Sequence, residues 1–483
     1  MNTPHPATMV RPRAAGARSA ASGHALPVPT DARQRLARGW LWLGLLALVG
    51  SGLFSVLLVL SRTPGLNRVL PGAALFRVAL VVHVDLSVLV WFIALGGLLW
   101  SINGTPRRLG WGWAALGLCS LGAALMSLAP WLGSGEAVMA NYIPVLDGAP
   151  FISGLLVFGA GVALLVLRSL FAAPRIGTAF GDAGVLRFGL NASVVATAVA
   201  LLAFGWSFTV LPQSLAGKAY YEILFWGGGH ALQFTWTLLM LVAWLWLASA
   251  CGASVPLSPR VAVALFALAL ASVFVTPLAY LAYDIASVEH RQLHTWAMRI
   301  GGGLAIAPIG LAVAIGLRGV THWQPAQRPL RAALVASMLL FASGGLIGVF
   351  IAGNNVRIPA HYHGCIVGVT LALMGLVYRL LPQLGYRAPQ GRLATWQPML
   401  YGAGQLMHIL GLVWSGGYGV QRKVAGAEQV LRGASEVAGM GLMGLGGLVA
   451  IVGGLLFVVV VIGAMRHPSL GPAAPAPARS GGA

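Results

Sequence analysis

Long apolar segments recur along almost the whole chain, and a short polar or basic stretch separates each from the next. The apolar runs reach about 20 residues, the length that an α-helix needs to cross the hydrocarbon core of a bilayer. A transmembrane barrel is disfavoured, because its strands alternate apolar and polar residues over about 10 positions. The pattern predicts an all-α, polytopic membrane protein with twelve transmembrane helices, at residues 39–62, 75–102, 110–133, 150–171, 184–212, 219–249, 260–285, 292–317, 329–352, 361–383, 396–419 and 436–465.

The two ends of the chain lack this pattern. Residues 1–36 are polar, basic and rich in Pro and Ala, and residues 467–483 are rich in Pro, Ala and Gly. Such compositions do not form a packed core, so we expect disordered tails on either side of a membrane domain at 37–466. The first segment is not expected to be a cleaved signal, because no small-residue cleavage site follows a short apolar core.

Composition excludes two broad classes of protein. Hydrophobic residues make up 58% of the 483 positions and charged residues only 8%, whereas soluble domains carry about 25% charged residues. A soluble globular enzyme and a disordered chain are both excluded. The net charge of +20 could indicate nucleic-acid binding. However, apolar segments separate the basic residues, so no continuous basic surface and no nucleic-acid partner are expected.

The basic residues instead predict an orientation in the membrane. They lie in the N-terminal segment and in alternate loops, and such loops face the cytoplasm. We therefore expect a bacterial inner-membrane protein with both termini cytoplasmic. The residues concerned are Arg11, Arg13, Arg18, Arg33, Arg35, Arg38, Arg107, Arg108, Arg168, Arg175, Arg187, Arg260, Arg318, Arg328, Arg331, Arg379, Arg387 and Arg392.

The cysteines point away from covalent haem. Cys119, Cys251 and Cys365 are isolated, and the chain has no CxxC or CxxCH motif. A thiolate metal cluster and c-type haem attachment within this chain are therefore excluded.

Five histidines from four predicted helices fall toward one side of the membrane, which we predict to be the outer side. They are His83, His230, His290, His361 and His363. Ionisable residues within a membrane are costly and usually functional, and imidazole is the common ligand of haem iron and copper. His361 and His363 are two positions apart, so on a helix they point about 200° apart. They can therefore each ligate a different haem, with His83 as a second axial ligand and His230 on a non-haem metal.

Four motifs carry a resemblance to a known family. They are HVDLSVLVW at 83–91, WGGGHALQF at 226–234, HYHG at 361–364 and GGYGVQRK at 416–423. Together they resemble the haem-copper oxidase superfamily, that is, cytochrome c oxidase subunit I and the nitric oxide reductase large subunit. The resemblance extends over essentially all twelve predicted helices.

The resemblance implies a fold, cofactors and partners. The fold would be a subunit I-like bundle holding two non-covalent haems of b type and one non-haem metal, copper or iron. His83 and His363 would ligate the low-spin haem, and His361 the high-spin haem. Arg422 and Lys423 would bind haem propionates. Electrons would come from cytochrome c, quinol or a donor subunit of an integral membrane complex.

The non-haem metal site departs from the family pattern. The family has two adjacent histidines at the outer end of the seventh helix, whereas residues 287–294 read SVEHRQLH here. Three readings stay open. Glu289 replaces one histidine as an oxygen ligand, His294 contributes beside His290 from one helical turn further on, or the metal is weakly bound or absent. A carboxylate ligand favours iron over copper.

The predicted catalytic groups also depart from the pattern. Many oxidases have a tyrosine at the position of Phe234, and cbb-type oxidases have one near the position of Tyr283, whose neighbour is Tyr280. Pumping oxidases have an acid where this chain has Leu232. Glu222 is a candidate proton or metal group on the outer side. Tyr283, Glu289 and Glu222 are therefore the candidate catalytic residues.

The function predicted from these residues is reduction of dioxygen to water or of nitric oxide to nitrous oxide. Phe234 and Glu289 favour nitric oxide, and Tyr283 favours dioxygen. A non-catalytic haem subunit that relays electrons or senses a ligand is the first alternative, motivated by the broken histidine pair. A secondary transporter is the second, although the histidines on one side argue against it.

Overall fold

The apolar runs form long helices in a computed structural model that describes residues 23–66, 73–133, 135–176 and 181–468. We number the long helices in chain order. They are α1 Ala32–Arg62, α2 Ala73–Asn103, α3 Leu109–Trp131, α4 Ala149–Phe171, α5 Asp182–Val210, α6 Gly217–Ala250, α7 Pro259–Ala282, α8 Val288–Arg318, α9 Pro325–Val349, α10 Arg357–Leu380, α11 Arg392–Gly417 and α12 Ala434–Met465.

The all-α, polytopic fold is confirmed. Within the described residues, eleven of these helices are long and apolar enough to cross a membrane. Helix α11 is outside this group, and its sequence includes the polar residues Gln397, Gln405 and His408. It nevertheless packs against α9, α10 and α12 as part of the bundle.

Three helices form the centre of the bundle, and they carry four of the five predicted site histidines. In the most apolar window of each helix, 94% of α6, 78% of α10 and 61% of α2 is buried, against 28–44% for the other eight measured helices. His230 lies on α6, His361 and His363 on α10, and His83 on α2. The sequence therefore places imidazoles on the helices that lipid contacts least.

The loops fall into two groups, one at each end of the bundle. At the terminal end, Gln34 Nε2 donates to the Gln383 carbonyl, and Tyr386 pairs with Pro468. At the opposite end, which we call the outer end, the amide of Val356 donates to the Val420 carbonyl. The predicted site histidines lie in the outer half of their helices.

A short β-hairpin lies at the outer end between α3 and α4. Its strands are β1 Glu136–Val138 and β2 Val145–Asp147, paired antiparallel with Ala137 opposite Leu146. Residues 139–144 connect the strands, and we call this connection the hairpin loop.

Several helices begin earlier than predicted, and capping residues explain two of these starts. Helix α1 begins at Ala32, where the side chain of Asp31 accepts the Arg33 amide. Helix α8 begins at Val288, because Ser287 caps it by accepting the His290 amide. Both starts lie in polar sequence, which apolar length alone does not reveal. Of the predicted tails, 1–22 and 469–483 lie outside the described residues, and His24 in the described part is buried.

Candidate metal and haem site

Three imidazoles from α6 and α8 lie together in the outer half of the bundle. The ring centroids of His290 and His294 are 4.6 Å apart, and those of His230 and His294 are 5.6 Å apart. Their exposed fractions are 0% for His290, 1% for His294 and 5% for His230. The two α8 histidines are four positions apart and share one face, because the helix starts early enough to include both. We call the three residues the histidine cluster.

Backbone carbonyls orient two of these rings. The Nδ1 atom of His230 lies 2.8 Å from the Trp226 carbonyl, and that of His294 lies 2.8 Å from the His290 carbonyl. A carbonyl oxygen only accepts, so each Nδ1 carries the proton and each Nε2 keeps its lone pair. This is the ligand tautomer that a neighbouring carbonyl fixes in metal sites.

Buried nitrogen atoms in the cluster fit a metal ion. Both ring nitrogens of His290 and the Nε2 of His294 are buried and have no hydrogen-bond partner among the described residues. Such orphaned polar atoms are rare unless a water or ion completes them. Across the parts of the chain that the structure describes, however, no three His, Cys, Asp or Glu side chains have the spacing of a formed metal site. The rings approach one another without yet converging on one point.

A tyrosine that the sequence did not single out closes the cluster. The hydroxyl of Tyr142, on the hairpin loop, lies 2.9 Å from Nε2 of His230. Since His230 Nδ1 carries the ring proton, Tyr142 donates to Nε2. Burial, with the nearby Glu222 carboxylate as a second cause, raises the pKa of this phenol and keeps it neutral.

The three glycines before His230 make room for aromatic rings. A Cβ atom on Gly229 would overlap the ring of Tyr142, and one on Gly227 would overlap the ring of Tyr280. The WGGGH motif therefore works as a smooth helix surface on which two phenols approach the histidine cluster. The contact between Gly229 and Tyr142 joins distant parts of the chain. The glycines before His230 alone therefore could not identify Tyr142 from the sequence.

Tyr280 on α7 contacts the histidine cluster, whereas Tyr283 does not. Its ring lies edge-on to His290 with centroids 4.8 Å apart, and its hydroxyl lies 2.6 Å from Ser207 Oγ. Tyr283 lies just beyond α7 and is 44% exposed. Both tyrosines line a cleft at the outer end, together with Trp206, Val210, Asp284 and Ile285.

The two predicted catalytic carboxylates, Glu289 and Glu222, differ in their exposure to solvent and in their contacts. Glu289 is exposed, although its neighbour His290 is buried. Glu222 is half-buried and accepts hydrogen bonds from the amide of Asn141, at 3.1 Å, and from the Asn141 side chain. Glu222 therefore holds the hairpin loop beside the cluster. His294 lies beside His290 on α8, whereas the Glu289 side chain is exposed.

His361 and His363 lie on different sides of α10, as their spacing predicts. The Nδ1 of His361 lies 2.7 Å from the Gly344 carbonyl on α9, so its Nε2 keeps a lone pair. The ring of His363 instead lies against that of His408 on α11, with centroids 5.0 Å apart.

His83 has the same arrangement of ring nitrogens. Its Nδ1 lies 3.0 Å from the Ser51 carbonyl on α1 and 2.9 Å from the Ser51 hydroxyl. Its Nε2 is therefore the atom available to a haem iron. A π-helical segment, Asp85–Val90, follows His83 directly, and such segments often mark functional sites.

The predicted propionate pair lies over the hairpin loop. Arg422 Nε donates to Asn354 Oδ1 at 2.6 Å, and Lys423 Nζ donates to the Met139 carbonyl at 2.5 Å. Burial, followed by the charge of Arg422, lowers the pKa of Lys423 to about 8. Two adjacent cations whose hydrogen bonds go to neutral oxygens fit an anionic group such as a propionate.

Two further arginines at the outer end have orphaned atoms. The Nε atoms of Arg62 and Arg357 are buried without a partner among the described residues. Arg62 ends α1 and lies near Tyr362, and Arg357 starts α10. Neither arginine was given a role in the sequence analysis.

Comparisons with known proteins identify the family of the chain. A family model described as cytochrome c and quinol oxidase polypeptide I matches residues 35–462. A protein of Rickettsia prowazekii (strain Madrid E), described as uncharacterized, is 31% identical over 498 aligned positions, covering 88% of this chain and 95% of the relative. An uncharacterized protein of Aquifex aeolicus (strain VF5) is 28% identical over 364 positions, covering 74% of this chain and 88% of the relative. The chain therefore belongs to the cytochrome c and quinol oxidase polypeptide I family, and is a haem-copper oxidase superfamily member.

Proposed function

We propose that this protein is the catalytic, haem-bearing subunit of a respiratory reductase that reduces a diatomic oxidant, dioxygen or nitric oxide. His83 and His363 would hold a low-spin haem, and His361 a high-spin haem. The histidine cluster would hold the non-haem metal. These groups, when bound, supply electron transfer and the binding of the diatomic molecule.

The observation that carries the proposal is the shared state of four histidines. His83, His230, His294 and His361 each have Nδ1 at a backbone carbonyl, which leaves Nε2 as the ligand atom. His408 also has its Nδ1 at a backbone carbonyl, so the support comes from this state together with the location of the four rings. Four rings on four helices, all in the outer half, support a set of metal and haem ligands.

The chain's other residues would prepare the pocket for chemistry. The Tyr280 ring packs against His290 and limits its movement. Phe234, 2% exposed, fills the helix position one turn beyond His230 with apolar surface and helps to exclude water. Arg422 and Lys423 would neutralise propionates at the outer end.

The basic loops support both termini on the cytoplasmic side of a bacterial inner membrane, with the histidine cluster toward the outside. Because the chain has no CxxCH motif, we propose that electrons arrive from cytochrome c, quinol or a partner subunit. The reading as a non-catalytic electron relay predicts haem without turnover, and the following experiment separates the two.

The test is gas consumption by the purified full chain with a reduced electron donor. A dioxygen electrode and a nitric oxide electrode measure the two substrates in parallel. We expect steady consumption of one gas by the wild type and a loss of at least about 100-fold in H290A, because removing a ligand should cost at least as much as removing a residue that orients one. Haem present with neither gas consumed would contradict the proposal and support the relay.

A further inference from the structure

We propose that Arg33, Arg168 and Arg187 form a binding site for a phosphate group, carried by an anionic phospholipid. The three residues lie at the terminal end of the bundle, opposite the histidine cluster, and we call them the arginine site. The inference goes beyond the proposed function and does not depend on it, because it assumes no haem and no metal.

The three guanidinium groups converge on one short segment at the end of α2, residues 103–105. Arg187 Nη1 lies 3.2 Å from the carbonyl oxygen of residue 103. Arg33 Nη1 lies 2.5 Å from that of residue 104, and Arg168 Nη2 lies 3.3 Å from that of residue 105. The Cα atoms of three consecutive residues span at most about 8 Å. Guanidinium groups from α1, α4 and α5 therefore meet at one place.

The guanidinium group of Arg168 is buried and incompletely paired. Arg168 is 0% exposed, and its Nε and Nη1 atoms have no hydrogen-bond partner among the described residues. The same is true of the buried hydroxyl of Thr105 beside it. Gly104 has no side chain to cover Nη1, and a Cβ atom there would lie 3.2 Å from it. Orphaned donors of this kind are rare unless a water or an ion completes them.

The chain supplies no carboxylate to Arg168 or Arg187. All ten Asp and Glu residues lie in the parts of the chain that the structure describes. Of the two at the terminal end, Asp31 pairs with Arg33, and Asp182 lies beside a histidine. The carbonyl ends of α2 and α4 offset part of the positive charge, but each carries only about half an elementary charge. A buried charge without a counter-ion is costly, so the site lacks an anion from outside the chain.

The chemistry of the site and its surroundings identifies the class of anion. The planar guanidinium group matches phosphate oxygens with two parallel hydrogen bonds. Leu167, Leu170 and Phe171 on α4 and Trp111 on α3 are exposed, and Arg108 lies over the rings of Trp111 and Phe171. This apolar surface suits the acyl chains of a lipid. Basic pockets between helices on the cytoplasmic side bind anionic headgroups, and the basic loops favour that side for this end.

The experiment measures the thermal midpoint of the purified full chain in detergent, after its lipids have been removed. Phosphatidylglycerol, phosphatidylcholine with the same acyl chains, and inorganic phosphate are added separately. In the wild type we expect a saturable rise of the midpoint with phosphatidylglycerol, because a ligand of the folded state stabilises it. Phosphatidylcholine, whose headgroup has no net charge, and inorganic phosphate should have little effect.

Three variants locate the effect. R168M removes the buried charge and keeps a long side chain. Its midpoint without lipid should equal or exceed that of the wild type, and phosphatidylglycerol should not raise it. R187Q changes a half-buried residue and should need at least about 10-fold more phosphatidylglycerol for the same rise, because a charged hydrogen bond is lost. R392M is the matched control, since Arg392 is an exposed arginine at the start of α11, and it should respond as the wild type does.

The possible outcomes separate the site from its ligand. No rise in the wild type with either phosphatidylglycerol or inorganic phosphate overturns the inference. It is also overturned by an equal rise in R168M or by an equal rise with phosphatidylcholine. A rise with inorganic phosphate alone that R168M loses would confirm the phosphate site and make a free anion its ligand. If R168M does not fold, R187Q decides, and an unchanged response of R187Q to phosphatidylglycerol overturns the inference.

Discussion

The rings of His363 and His408 lie 5.0 Å apart, with their planes at 54°. His408 Nδ1 lies 3.0 Å from the Met443 carbonyl, and Gly447 on α12 leaves room beside the His408 ring. A third imidazole therefore accompanies the two proposed ligands of the low-spin haem. His408 has no counterpart among the motifs that carry the family resemblance.

We expect His408 to be a neighbour of this haem and not a ligand. H363A should lose the low-spin haem, lowering haem from about two to about one per chain. H408A should keep both, because His83 and His363 remain. The pyridine haemochrome assay and the low-spin absorption band measure this. Loss of the low-spin haem in H408A, with retention in H83A, would assign the axial position to His408.

The α8 histidines should control the non-haem metal. H290A and H294A should each lower bound non-haem metal from about one per chain to near zero. The two histidines that remain in the cluster would bind the metal only weakly. E289Q should leave it unchanged, since the Glu289 side chain is exposed. Elemental analysis, normalised to haem, gives the result. If E289Q lost the non-haem metal and H294A retained it, Glu289 and not His294 would be the second ligand on α8.

Haem retention should depend on pH through Lys423. Its pKa without a bound anion is about 8, and a propionate would raise that pKa by stabilising the charged form. Above pH 8, haem binding is therefore coupled to protonation of Lys423. The affinity for haem then falls as the pH rises further. Haem transfer to an apoglobin should accelerate between pH 8 and 10.

Two variants check the assignment of this pH dependence. K423R keeps its charge throughout the range, so its transfer rate should stay flat. K423Q should transfer haem faster at pH 7 and also show little pH dependence. The same slope in K423Q and the wild type would show that another group titrates.

Gly229 should be intolerant of a side chain. In G229A the new methyl group overlaps the Tyr142 ring, and overpacking of this kind costs about 1–3 kcal/mol. We expect a lower thermal midpoint. G205A is the matched control on α5, because a Cβ there has open space. Its midpoint should stay the same or rise slightly. Equal midpoints for the two variants would argue against close packing of the hairpin loop on α6.

The sequence predicted the helices, and it predicted which helices carry most of the site histidines. Both follow from local properties of the chain. Apolar length marks a helix, and the two-residue spacing of His361 and His363 sets their directions. The early start of α8 was missed because Ser287 and Glu289 are polar, so His290 fell between two predicted helices while His294 fell inside one. Tyr142 was missed for a different reason. It reaches His230 from a loop 88 positions away, and no local pattern encodes that contact.

The stoichiometry of cofactors in the purified full chain shows whether it holds two haems and a non-haem metal. A reduced-minus-oxidised spectrum, a pyridine haemochrome assay and elemental analysis are made on one preparation. We expect two haems, one of them low-spin, and one non-haem copper or iron per chain. A chain that contains no haem would contradict this expectation, and so would one that contains haem but no second metal.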